Sequence, residues 1–162
     1  MILNNSKSVI NLKIARRAAI IIFLTYLVLV YAAGIIRFPV LGVDKTALTV
    51  LVSAIFVLVI IIPQILNYQY IYFSDEGDSI IFRYYSAGLF TGNKNSVEIN
   101  KRSFSGFTVD KKFFGLVESI TFYQRLREGI AKYPPIYLNA LKRADKARII
   151  KSLNSSAPII KG

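Results

Sequence analysis

The chain is 162 residues long, 54% of them hydrophobic, with a formal net charge of +12. It has neither cysteine nor histidine, which excludes disulfides, thiol nucleophiles, the commonest metal ligand and the usual neutral-pH general base. The charge divides into +5 up to Asn67, where six Lys and Arg face Asp44, and +7 beyond it, where fifteen face eight acids; such an excess suits anionic lipid headgroups or nucleic acid.

Residues 1–17 read as a short basic tail carrying Lys7, Lys13, Arg16 and Arg17. Two uncharged apolar runs follow, residues 18–36 and 47–66, separated by ten residues. Roughly 20 residues at about 1.5 Å each span a bilayer core of ~30 Å, and a soluble protein's helix is seldom apolar on every face for that length. The two runs therefore read as a transmembrane hairpin, residues 18–66. The first is too long for a signal peptide, lacks a small-residue cleavage site and leads directly to a second span. Arg37 and Lys45 are the basic residues of the connecting loop RFPVLGVDKT. The excess of positive charge before the first span then keeps the tail in the cytoplasm, and two crossings return the chain to that side. The spans hold no Asp, Glu, Lys or Arg, which argues against an ion or substrate path through this chain alone. Thr25, Tyr26, Tyr31 and Ser53 are their polar members, and Ala32, Ala33 and Gly34 are small enough to let another helix dock closely. Pro63 predicts a bend near the cytoplasmic end of the second span.

From Asn67 the apolar pattern changes to period two, the strand signal. Tyr68, Tyr70 and Tyr72 alternate with Ile71 and Phe73, and Tyr68 is placed for the interfacial aromatic belt. After the turn SDEGD, Ile80, Phe82 and Tyr84 alternate with Ile81, Arg83 and Tyr85, which predicts a hairpin. The loop GLFTGNKN leads to a strand in which Val97 and Ile99 alternate with Glu98 and Asn100. FSGFTVDKKFFG reads as a strand between glycine turns, and LVESITFYQRLREG as another ending in a charged turn. IAKYPPIYL is extended but interrupted, because Pro134 and Pro135 cannot donate ladder hydrogen bonds. Six strands are expected, seven if one bends. Asn139 is placed to N-cap a helix in which Leu141, Asp145, Ile149 and Leu153 share a stripe and Lys142, Arg143, Lys146, Arg148 and Lys151 cover most of the rest. Residues 157–162 read as a frayed C-terminus.

The span pair, the hairpin YIYFSDEGDSIIFRYY, the strand VEINKRSFSGF and the closing PPIYLNALKRADKARIIKSL together resemble the bacterial pleckstrin-homology-like (PH-like) proteins anchored by an N-terminal transmembrane hairpin. The resemblance implies a membrane-anchored α+β chain. A two-helix transmembrane hairpin would be followed, over residues 67–156, by a small PH-like antiparallel β-barrel with a C-terminal helix. The protein would be integral to a bacterial inner membrane, with its N-terminus and C-terminal domain in the cytoplasm. No catalytic residue, cofactor or defined ligand is carried over by the resemblance.

On function the residues themselves argue by exclusion, and the binding role rests on the fold-level resemblance alone. There is no GxxxxGK[ST] loop, GxSxG elbow or zinc signature. Asp75, Glu76 and Asp78 cluster in a turn, where acidic residues favour turn geometry, and Glu98, Glu118 and Glu128 stand singly. No catalytic set, metal site or cofactor-binding set can be assembled, so a non-enzyme without cofactor is expected. Lys101, Arg102, Lys111, Lys112, Lys142, Arg143 and Lys146 form the candidate surface for anionic lipid or a partner, against the plain alternative of a solvated face. Aromatic residues among Lys and Arg suit base stacking, but a β core needs large side chains anyway, and nucleic acid is not an expected partner. The expected partners are membrane lipids and a membrane or cytoplasmic protein, with a homo-oligomer left open. The expected role is an inner-membrane-anchored binding or scaffold module holding a partner protein or complex at the membrane. Its alternatives are a small accessory subunit of a larger integral complex and a sensor of anionic headgroups.

Overall fold

The computed structural model describes residues 1–88 and 92–156. The expected frayed C-terminus and part of the GLFTGNKN loop lie outside the described residues. The chain divides into two compact units, Ile10–Ile65 on the one hand and Met1–Val9 with Leu66–Gly162 on the other.

The first unit is helical. Helix α1 (Ser6–Leu27) continues into a π-helical turn (Val28–Ala32), and helix α2 (Lys45–Ile65) follows the connecting loop. Both are long and apolar enough to cross a membrane, at 27 residues including the π turn and 21 residues. Their apolar side chains point outward: Ile21, Ile22, Val50 and Ile65 are exposed. Asp44 begins α2 by accepting the Thr46 and Ala47 N–H groups on Oδ2 at 3.0 and 3.3 Å, the role of an N-cap carboxylate. Pro63 lies inside α2, which runs two residues past it. Phe23 and Phe56 stack with centroids 4.3 Å apart. Two boundaries differ from those read off hydropathy. The helix begins at Ser6, so Lys7, Lys13, Arg16 and Arg17 lie on its first turns and not on a loose tail. Helical geometry ends at Ala32 although the apolar run goes on to Ile36, because Gly34 adopts φ +60° and turns the chain away.

The second unit contains two antiparallel sheets. The first has the order β1 (Ile2–Asn4), β2 (Gln69–Ser74), β3 (Ser79–Ser86), β4 (Asn95–Asn100). The second has the order β5 (Phe104–Lys112), β6 (Val117–Leu126), β7 (Gly129–Lys132), with β8 (Ile136–Tyr137) also pairing β6. Helix α3 (Arg143–Ser156) follows. Strand alternation fixes the register: Leu3 pairs with Phe73, Phe73 with Phe82 and Phe82 with Val97, one apolar row across all four strands of the first sheet. A one-residue slip would turn that row to solvent. The Phe82 ring meets Phe122 of the second sheet at 4.8 Å and Phe73 at 4.7 Å. From α3 and the segment before it, Leu138, Leu141, Ile149 and Leu153 join the same core.

The two sheets do not close into the expected barrel. Pro134 and Pro135 split IAKYPPIYL into β7 and a two-residue β8, since neither proline can donate to a ladder. Beside β8, side chains replace the missing ladder: Gln69 Oε1 accepts the Tyr137 N–H at 3.0 Å. The expected strands otherwise recur, joined by one that periodicity did not suggest, β1 at the N-terminus.

Candidate functional site

Three side-chain amides fix the segment through which the chain joins the β domain. Asn5 is buried; its Oδ1 accepts the Ile71 N–H at 2.8 Å and its Nδ2 donates to the Gln69 carbonyl at 2.9 Å. Asn139 Nδ2 donates to the Leu66 carbonyl, and its Oδ1 accepts the Glu118 N–H at 2.8 Å. Gln69 completes the set through Tyr137. Each amide has both a donor and an acceptor, so each can satisfy two backbone groups where no strand continues. Asn139 is therefore not the expected helix cap: α3 starts at Arg143, and the Lys142 carbonyl accepts the Asp145 and Lys146 N–H groups.

The candidate basic residues fall at two ends of the domain. Lys101 follows β4, its Nζ donating to the Asp75 carbonyl at 2.6 Å, and Arg102 is exposed beside it. Lys111 and Lys112 end β5, nine residues long, which sets them about 25–30 Å from the first pair at ~3.3 Å per residue. The structure thus does not bring Lys101 and Arg102 together with Lys111 and Lys112. It does gather Lys111 and Lys146 around Glu118, at 3.9 and 2.8 Å, with Lys142 and Arg143 exposed at the start of α3. Five exposed or half-buried cations, Lys111, Lys112, Lys142, Arg143 and Lys146, against the carboxylates of Asp110, Glu118 and Asp145 leave this end positive. The candidate docking residues Ala32, Ala33 and Gly34 are exposed at and just beyond the π turn, and nothing lies within 4 Å of a Cβ built on Gly34.

The Lys111–Lys112 end also carries the β5–β6 turn. Phe113 and Leu116 are 67% and 65% exposed and Phe114 is fully exposed. Both phenylalanines take positive φ, +50° and +56°, with the Gly115 N–H donating to the Lys112 carbonyl and the Leu116 N–H to the Phe113 carbonyl, each at 3.1 Å. Lys112 pairs with Val117 and Lys111 with Glu118, and Glu118 is the residue that Asn139 ties to Leu66. The turn therefore lies one or two residues of ladder from the start of the domain. The signal in the sequence was FFGL between two strand-like runs, a four-residue hairpin loop with glycine; reading FF as strand concealed it.

At the opposite end, Asp75 joins three elements. Its carboxylate accepts from the Met1 amino group at 2.6 Å and from the Ser152 hydroxyl of α3. Burial alone would push the Asp75 carboxyl up; hydrogen bonds from the amino group and Ser152, with the charges of the amino group and Lys101, outweigh it and hold the carboxyl below its ordinary value. A recess of about 310 Å³ opens there, lined by Met1, Asp75, Arg148, Lys151, Ser152 and Ser155. Asn5, Gln69 and the aromatic turn are the residues that sequence reasoning missed, since amides and loop aromatics have no periodic signature. No known protein family, curated protein or solved structure matches the chain.

Proposed function

We propose that this chain is a non-catalytic, membrane-anchored binding module. In this reading its two apolar helices cross a bacterial inner membrane as a hairpin, and its β domain, a PH-like fold, holds a partner protein or complex at the cytoplasmic face. The observation that carries the reading is the pairing of β1 with β2, for it makes residues on either side of the two apolar helices members of one sheet. A bilayer core cannot lie between hydrogen-bonded neighbours in a soluble sheet, so the helices between them cross an even number of times. The basic first turns of α1 favour the cytoplasm for that side. Two antiparallel sheets sharing a core with a C-terminal helix support the PH-like relation. Among the described residues β4 ends the order of the first sheet, and an edge strand offers backbone groups to a partner strand. The want of histidine, cysteine and catalytic motifs in the sequence supports the non-catalytic part.

The test is purification of the tagged full chain in gentle detergent, with sizing and mass spectrometry. A stoichiometric companion is expected, and a lone monomer overturns the holding role. The exposed small residues at the π turn favour a second reading, an accessory subunit built into a complex through its spans. If the companions depart in the A32L/G34L chain and not when β4 is altered, that second reading replaces the first.

A further inference from the structure

We propose that the β5–β6 turn is a membrane-inserting tip, Phe113, Phe114 and Leu116 entering the interfacial layer of the bilayer that anchors the chain while Lys111 and Lys112 lie among its anionic headgroups. The inference rests on the anchored reading above and adds to it a surface and a ligand, an anionic phospholipid interface.

Three independent observations meet at this turn. The first is apolar exposure: two aromatic rings and a leucine stand in solvent side by side at a hairpin end, while the domain's other phenylalanines in strands, Phe73, Phe82, Phe104, Phe107 and Phe122, are buried. The second is conformational. Consecutive positive φ angles at the centre of a hairpin turn suit Asn-Gly, and a bulky side chain there is an outlier. A phenylalanine pair is thus unfavourable in this position both for its backbone and for its exposure. Strain of this kind persists where it serves a site. The third is position. Leu66, the residue after α2, is held by Asn139 to Glu118, whose ladder partner is Lys111. The domain therefore presents the turn from the same end at which the chain leaves the second apolar run. Aromatic rings prefer the interfacial layer of a bilayer, and Lys111 and Lys112, both exposed beside the turn, supply the charge that anionic headgroups attract, while Lys146 is the closer partner of Glu118 at 2.8 Å. The β6–β7 turn makes a natural control. Leu126 and Ile130 are also exposed there, but at the far end of the ten-residue β6.

The native sequence has no tryptophan, so F114W and I130W chains each report from one place. The full chain is reconstituted in vesicles of phosphatidylethanolamine and phosphatidylglycerol, with and without brominated acyl chains. The F114W chain should emit at shorter wavelength, lose more than half its emission to brominated lipid and resist aqueous iodide; the I130W chain should do the reverse. Iodide quenching of F114W equal to that of I130W, with no effect of brominated lipid, overturns the inference while leaving the anchor intact. Protection of F114W from both quenchers means that a second protein surface covers the tip, and overturns it as well. A chain that an alkaline wash strips from the vesicles overturns the anchored reading and this one together. The F113N/F114G chain separates tip from scaffold. Its turn suits the backbone, so its melting temperature should hold or rise, whereas tryptic cleavage at Lys111 and Lys112 in vesicles should become at least fivefold faster. A fall in melting temperature with unchanged cleavage would make the phenylalanines structural and overturn the inference.

Discussion

The two units of the chain use the same side chains in opposite ways. In the β domain Ile71, Phe73, Ile80, Phe82 and Ile120 are wholly or almost wholly buried. In the helical unit Ile21, Ile22 and Val50 are about two-thirds exposed, and only 6% of each span window is buried. Charged groups such as Glu98 and Arg83 face outward on the sheets, whereas between the helices polar groups bond to one another, where Tyr26 and Tyr31 meet Thr49. Each unit is sorted against its own solvent, water for the sheets and, in the anchored reading, hydrocarbon for the helices. An overall composition of 54% hydrophobic residues is thus the sum of two different arrangements.

The strongest way to break the comparison is to truncate one large apolar side chain to alanine on each side. Phe82 is fully buried and touches rings from both sheets; Phe82→Ala should cost about 3–5 kcal/mol, a large share of the roughly 5–15 kcal/mol that holds a small domain. Ile22→Ala removes a side chain that packs on little and should change stability by less than about 0.5 kcal/mol. Circular dichroism melts of the two full chains in micelles test this. The F82A chain should lose its strand signal well below the temperature at which its helical signal fades, whereas the I22A chain should follow the parent. A single joint transition in the F82A chain would mean that the units unfold as one.

The same contrast explains what could be read from the sequence. The helices were legible because an unbroken apolar run has one common explanation, and β2, β3 and β4 because burial of one face forces alternation at Ile71, Phe73, Ile80, Phe82, Val97 and Ile99. Strand β1 was not, since three residues carry no period and its partner Phe73 lies seventy positions away. Hydropathy also overran the end of the first helix, for it registers apolar character and not the backbone turn at Gly34. Asn139 was misread because a helix cap and a long-range amide clamp look alike in one dimension. The basic residues were all visible as basic, but which of them meet depends on where β5 carries them: Lys111 meets Lys146 across Glu118, and Lys101 is a strand's length away.

An intermediate effect sharpens the comparison at the edge of the first sheet. Asn5→Ala removes a buried amide and leaves the Ile71 N–H and the Gln69 carbonyl without those partners, a loss of about 1–3 kcal/mol. The loss should be local. In the N5A chain the amides that bond across the β1–β2 ladder, those of Leu3, Phe73 and Asp75, should exchange with deuterium roughly 10-fold faster or more, while β5–β6 amides keep the parent's rates. Uniform acceleration across both sheets would show that β1 belongs to the same cooperative unit as the core.

The smallest expected effect lies between the helices. Thr49 Oγ1 donates to the Lys45 carbonyl at 2.8 Å, which leaves two lone pairs, one for each tyrosine hydroxyl at 2.9 and 3.0 Å. On a regular α-helix, residues five apart stand roughly 140° round from each other. The π turn winds more widely, and Ala33 donates across it to the Val28 carbonyl at 2.8 Å, so Tyr31 returns to the side of Tyr26. Thr49→Val keeps the shape and takes away the acceptor. Hydrogen bonds between membrane helices average only ~0.6 kcal/mol, and two lost together should lower the hairpin's stability by about 1 kcal/mol. If the tyrosine pair holds the π turn open, the T49V chain should relax there. The Ala33 amide resonance would shift, and Tyr31 would leave the Lys45 ammonium, now 4.0 Å from its ring. Thr49→Ser, which retains donor and lone pairs, should restore both signals. An Ala33 resonance indifferent to T49V would assign the π turn to the backbone and loop beyond it, and leave Thr49 as a clasp between helices whose winding is fixed elsewhere.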